Sequence, residues 1–240
     1  MEQIRVEPSN KRVRIVFGGE IIVDTDDALY VWEHGAYPQY YLPQADVAAG
    51  VLQPSMTTKE SASRGTATCY TVKAGGREAV DAAWSYDDSP VAAIRGRVRF
   101  DWNAMDAWFE EDEEVFVHPR SPYTRIDILP SSRHVRVLLD GEVIADSDRT
   151  SLLFETGLPV RYYFPKVDVR LDLLAPTASS SQCPYKGTAS YWSVQTASGV
   201  HEDLVWSYPQ PLPESIRIAG LVSFYNQRVQ LEVDGVIQTA

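Results

Sequence analysis

The sequence predicts an all-β protein of two tandem, pseudo-symmetric modules, each a strongly bent sheet or barrel-like fold. Three observations carry this. The chain repeats itself, each repeat opens on a hairpin signal, and no segment sustains a capped helical period over ten residues. The repeat appears on shifting the chain by 122 residues. Gln3–Arg95 then overlays Arg125–Arg217 without a gap, and 29 of the 93 positions are identical, which marks a duplication. A two-residue change of offset brings Gly96-Arg97-Val98-Arg99-Phe100 onto Gly220-Leu221-Val222-Ser223-Phe224. The expected domains are a first repeat over residues 1–118, a linker over 119–124 that holds Pro119 and Pro122, and a second repeat over 125–240.

The opening hairpin is Val13–Phe17, Gly18-Gly19, Glu20–Val23, with its twin Val135–Leu139, Asp140-Gly141, Glu142–Ala145. Gly-Gly and Asp-Gly between β-branched runs predict type I′ turns, whose two central residues both need positive φ. Apolar strands follow at Leu29–Trp32 and Leu152–Phe154, then at Tyr40–Leu42 and Tyr162–Phe164, with short helical turns expected after Pro43 and Pro165. Thr66–Val72 and Thr188–Val194 alternate as strands. Gly96–Phe100 and Gly220–Phe224 lead into closing hairpins that turn at Glu110–Glu113 and at Asp234-Gly235. The acidic run Glu110–Glu114 is expected as a solvated hairpin tip.

Composition bounds the function. With 44% hydrophobic and 11% aromatic residues the chain can build a real core, and 15 Pro and 14 Gly are too few for a collagenous or low-complexity class. A formal charge of −11 argues against a nucleic-acid partner bound through a basic surface. The segment Met1–Pro8 opens no apolar signal region, and no apolar run is long enough for a membrane span. A cytoplasmic protein without a membrane partner is expected. Cys69 and Cys183 form no CxxC pair and are expected as free thiols, and the four His complete no zinc spacing. No cofactor and no metal are expected.

The motif richest in chemistry is Cys183-Pro184-Tyr185-Lys186-Gly187-Thr188, which in the first repeat reads Ser61-Ala62-Ser63-Arg64-Gly65-Thr66. It reads structurally as a turn entering a strand. It reads chemically as a thiol three residues before an ammonium that favours thiolate. The first repeat has lost this chemistry, so a single functional pocket is expected in the second. Taken with Val31-Trp32-Glu33, Tyr40-Tyr41-Leu42-Pro43 and Trp206-Ser207-Tyr208-Pro209, the motif resembles the domain of unknown function 427 family, twice over and across nearly the whole chain. The resemblance implies a compact β-tent-like domain, and a nucleotidyltransferase label is attached to some members. The family pattern has a His or polar residue before the cysteine, and Gln182 stands there. Zinc, which many β-tent relatives hold, is not implied, because its four ligands are lacking.

Glu33 and Glu155 end equivalent strands, either as solvated strand ends or as carboxylates facing a pocket, where one would anchor an amine or act as a general base. Trp84-Ser85-Tyr86 and Trp206-Ser207-Tyr208 recur, as do Tyr40-Tyr41 and Tyr162-Tyr163, and strand alternation puts such neighbours on both sheet faces. The leading expectation is small-molecule binding in an aromatic-lined pocket of the second repeat, walled by Glu155, Tyr163, Lys186, Trp192 and Trp206. Lys186 is expected to face the pocket, so that its removal would leave the fold intact. The alternatives are an enzyme using Cys183 or Glu155 with Lys186, for nucleotidyl or acyl transfer, and a non-catalytic scaffold. Weaker signals are Asp24-Thr25-Asp26 and Asp146-Ser147-Asp148 as a magnesium pair or as turns, Arg95 and Arg217 as anion binders, and a Cys183–His201 nucleophile pair.

Overall fold

A computed structural model describes residues 4–35 and 37–238. The stretch Met1–Gln3 at the head of the N-terminal reading, and the last two residues of the second repeat, lie outside the described residues. The chain divides into two compact units between Ser121 and Pro122. In the first unit the strands are β1 (Arg5–Ser9), β2 (Val13–Phe17), β3 (Glu20–Thr25), β4 (Ala28–Trp32), β5 (Gln39–Pro43), β6 (Leu52–Ser61), β7 (Gly65–Ala74), β8 (Arg77–Ser85), β9 (Arg97–Phe100), β10 (Ala107–Glu110) and β11 (Glu113–Glu114). In the second they are β12 (Ile126–Pro130), β13 (Val135–Leu139), β14 (Glu142–Ser147), β15 (Ser151–Glu155), β16 (Arg161–Phe164), β17 (Leu174–Cys183), β18 (Gly187–Thr196), β19 (Gly199–Ser207), β20 (Val222–Phe224), β21 (Gln230–Val233) and β22 (Val236–Ile237). Single 3₁₀ turns follow Pro43 and Pro165, as expected.

Each unit pairs a seven-stranded sheet with a four-stranded one, giving two similar all-β modules. The orders are β1-β4-β5-β9-β8-β7-β6 with β11-β10-β2-β3, and β12-β15-β16-β20-β19-β18-β17 with β14-β13-β21-β22. Bulges interrupt the long hairpins of the large sheets. The long hairpins break register between Pro54 and Thr58, between Tyr70 and Val72, and at the matching places Pro176/Ser180 and Trp192/Val194.

The opening hairpins form as expected. Both turn residues have positive φ, Gly18 at 61° and Gly19 at 77°, Asp140 at 52° and Gly141 at 83°. Val13, Ile15 and Phe17 alternate into the first core, and Val135, Val137 and Leu139 into the second. This core lies between the two sheets of each module. A second apolar cluster covers the opposite face of each large sheet, around Tyr41, Trp84 and Tyr86 in the first module and Tyr163, Trp206 and Tyr208 in the second. The candidate site lies on that second face.

One expectation about the first module is corrected. Glu110 is not part of a solvated tip but only 5% exposed. Its carboxylate pairs with Lys11 and accepts from the Tyr40 hydroxyl at 2.9 Å and the Arg120 amide at 3.1 Å. The turn itself is made by Glu111, at positive φ, and Asp112. Glu110 alternates inward on β10 because Trp108, two residues before it, is also buried.

Candidate functional site

In the second module cross-strand pairing lines up one row of side chains. Tyr163 on β16 pairs with Ser223 on β20, Ser223 with Trp206 on β19, and Trp206 with Tyr191 on β18. Paired residues share a face. The row therefore presents three aromatic side chains around one serine. Trp206 donates Nε1–H to the Tyr163 hydroxyl at 3.2 Å, with the rings edge to face. Tyr225 leans on Trp206, ring centres 4.6 Å apart, and Tyr208 is buried in the same cluster. Burial pushes the Tyr163 and Tyr208 hydroxyls above the usual tyrosine range.

The polar end of the site comes from a strand end and a turn. Glu155 closes β15, and Lys186 lies in the Cys183–Gly187 turn between β17 and β18. Their side chains form an ion pair and are only 9% and 11% exposed. The turn is clamped from outside. The Leu212 amide donates to the Lys186 carbonyl at 3.2 Å and the Ser215 hydroxyl to the Tyr185 carbonyl at 3.2 Å. Gly187 must remain glycine here, since its φ is +92° and a Cβ would meet the Gln210 carbonyl oxygen at 3.3 Å. Cys183 is half-buried against the aromatic cluster.

Glu155, Tyr163, Lys186, Trp206 and Cys183 are thus gathered at one face of the sheet. Trp192 is not. It follows Tyr191 directly on β18, so alternation turns it to the other face, where it packs against the inter-sheet core with the Lys166 ammonium 5.5 Å from its ring. Tyr191 holds the position expected of Trp192. Sequence reasoning missed Ser223 and Tyr225 and chose Trp192 over its neighbour Tyr191, because the signal was strand register rather than residue type. Lys186 does not point freely into a pocket but is tied to Glu155. A surface cleft of about 290 Å³ in this module lies elsewhere, among Leu129, Arg133, Leu152, Phe154 and Tyr162.

The weaker candidates resolve differently. His201 pairs with Asp140 at 2.7 Å. It sits opposite Val194, seven residues along β18 from the Gly187 that pairs with Cys183. That is about 23 Å of strand, so no Cys–His pair forms. Asp24 pairs with Arg12, and Asp146 with His134. Thr25 and Ser147, between the acids, cap local turns and donate to Asp46 and Asp168. Among the described residues no group of three His, Cys, Asp or Glu is placed to hold a metal. Arg95 donates to the Ser89 carbonyl at 2.7 Å and Arg217 to the Ile128 carbonyl at 3.1 Å, so both brace backbone. No helix among the described residues is long and apolar enough to cross a membrane.

The first module builds the same frame and fills it. Glu33 matches Glu155, Tyr41 matches Tyr163, Arg64 matches Lys186 and Trp84 matches Trp206. Glu33, with a side chain 5% exposed, pairs with Arg64 at 2.6 Å and also with Arg99, and accepts from the Tyr41 hydroxyl at 2.7 Å. Burial pushes the Glu33 carboxyl up, but Arg99, Tyr41 and Arg64 together hold it below the usual carboxylate range. Arg99 also lies over the Trp84 ring at 4.7 Å, and the Lys59 ammonium lies over the same ring at 3.5 Å.

A duplicated two-sheet β module, with a buried carboxylate–cation pair beside a Trp/Tyr cluster, is the class of protein that fold and site define. The family described as "domain of unknown function (DUF427)" matches residues 5–111 and again 127–235, and the chain belongs to that family. Comparison with curated proteins gives no match.

Proposed function

We propose that the second module binds a small molecule on the face formed by Tyr163, Tyr191, Trp206 and Tyr225, with Glu155 and Lys186 as its polar anchor. The observation that carries this reading is the contrast between the two carboxylates. Glu33 is saturated by two guanidinium groups and a hydroxyl, whereas the Glu155 carboxylate has Lys186 as its one side-chain partner among the described residues. A buried ion pair is seldom more stabilising than an apolar pair of the same shape. The Lys186–Glu155 pair beside an aromatic wall therefore fits a polar anchor better than a stability device. Aromatic walls with few polar groups are the usual composition of ligand sites.

The test is a thermal-shift survey of cationic, anionic and neutral metabolites. A ligand of this site raises the melting temperature of the natural protein. It leaves unchanged that of a double variant, Glu155→Gln with Lys186→Met, which keeps side-chain volume and removes both charges. A shift that persists in the double variant would place binding elsewhere, and a survey without any shift would count against binding.

A further inference from the structure

We propose that the ligand of the second module is a guanidinium-bearing small molecule, its cation set against Glu155 and Trp206 in the place that Arg99 takes in the first module. This rests on the binding reading above and adds the chemical class.

The first module shows what its frame accepts. Arg99 reaches from β9 to Glu33 and stacks over Trp84, so the carboxylate and the indole are satisfied by one planar cation of the same chain. Lys59 puts a second cation over Trp84. In the second module both cations are gone at the matching positions. Ser223 pairs with Trp206 as Arg99 pairs with Trp84, and Ser181 stands where Lys59 stands. The carboxylate, the neighbouring cation on the turn, the tyrosine and the tryptophan are kept. What is lost is the internal cation.

Two details mark the place as unfinished. The Ser223 hydroxyl is fully buried, in the row between Tyr163 and Trp206, and has no hydrogen-bond partner among the described residues. Leaving such a group unpaired is unfavourable. Tyr225 leans on Trp206 in place of a cation and is only half-buried. Arg228 lies 5.8 Å from the Tyr225 ring centre and donates to the Glu202 carbonyl, and the Arg161 guanidinium is 5.6 Å from the Trp206 ring centre. Arg161 is turned toward the Gln227 side chain at 3.3 Å rather than toward Glu155, so it does not repeat the Arg99 contact.

The experiment is calorimetric titration of the full chain with methylguanidinium. The expected result is one site per chain. Ser223→Arg, which restores the internal cation, should weaken binding at least about tenfold. Arg99→Ser combined with Lys59→Ser should create a second site in the first module, because the pair clears both cations from Trp84 and leaves Glu33 with Arg64 as its one cation, as Glu155 has Lys186. Should Ser223→Arg fail to fold, the gained site in the Lys59→Ser, Arg99→Ser double variant carries the test. Absence of binding to the natural protein, or equal binding to natural protein and Ser223→Arg, overturns the proposal. If methylguanidinium fails while a neutral or anionic compound still shifts the natural protein and not the Glu155→Gln, Lys186→Met variant, the cation class falls and the binding site stands. If neither binds, both fall.

Discussion

The two modules answer one structural problem in two ways. Each must place a glutamate against a turn cation and a tryptophan on the outer face of the large sheet, Glu33 just past β4 and Glu155 at the end of β15. The first module closes the problem internally, with Arg64, Arg99 and Tyr41 all on Glu33. The second leaves Glu155 with Lys186 and turns the Tyr163 hydroxyl to Trp206 instead. The difference is made by few residues. Arg99 gives way to Ser223 and Cys69 to Tyr191, an exchange of large for small and small for large within one row. A duplicated frame can therefore keep its fold while one copy becomes self-contained and the other keeps polar capacity to spare.

The same contrast recurs at the hairpin tips. In the first module Gly18 and Gly75 approach backbone to backbone, so closely that a Cβ on Gly75 would lie 1.8 Å from the Gly18 carbonyl oxygen. In the second Asp140 replaces Gly18, and its carboxylate accepts from Ser198, Thr196 and His201.

The comparison can be broken or sharpened by mutation. The largest effect is expected from Glu33→Ala, which strands two half-buried guanidinium groups. It should cost about 3–5 kcal/mol in urea unfolding. Lys186→Ala strands one carboxylate and should cost about 3 kcal/mol. The same unfolding measurement tests the expectation that its loss leaves the fold intact. Equal and negligible costs would show that neither pair is buried in solution. Next, Gly187→Val should cost about 2 kcal/mol through positive φ and the Gln210 carbonyl. Gly65→Val should cost less, since the nearest atom to its Cβ is the Pro90 side chain at 3.7 Å. The reverse order in melting temperature would contradict the clamped turn.

Smaller still is an acid effect confined to the second tip. Hydrogen bonds from Ser198, Thr196 and His201 hold the Asp140 carboxyl down to about 2. Its folded value is thus below the unfolded value near 4, so its contribution is present above pH ~4 and disappears as pH falls through about 2. Asp140→Gly, which copies the first module, should flatten the stability curve between those limits. An unchanged curve in acid urea titrations would remove Asp140 from the account. The mildest contrast is between the thiols. Cys69 is fully buried and burial pushes its thiol up, whereas Cys183 is half-buried. Cys183 should react with a thiol reagent in the folded protein and Cys69 only on unfolding. Labelling that began at Cys69 would reverse the two environments.

Much of the fold was legible because the signals were local. Gly18-Gly19 and Asp140-Gly141 announce their turns by backbone chemistry, and Val13-Arg14-Ile15-Val16-Phe17 shows its period in the sequence. The long strand β6 was not legible. It is an edge strand, mostly exposed and carrying Pro54, so no apolar alternation marks it. The site divides along the same line. Glu155, Tyr163 and Trp206 could be found because the duplication repeats them, and Lys186 because it stands in the Cys183–Gly187 motif. Tyr191 and Trp192 could not be told apart without register, since neighbours on a strand are equal in sequence and opposite in space. Ser223 could not be found as a residue at all. It matters through what it replaces, and only the pairing with Trp206 shows that Arg99 is its counterpart. Glu110 was misplaced because a run of acidic residues conceals which one turns inward.

The central claim is that the second module has an open site where the first is self-occupied. Fluorine NMR of protein labelled with 5-fluorotryptophan, with its six tryptophan signals assigned by substitution, tests this most directly. On titration with methylguanidinium the Trp206 signal should move and saturate while the Trp84 signal stays fixed beneath Lys59 and Arg99. Parallel movement of both signals, or movement of Trp84 alone, would contradict the account.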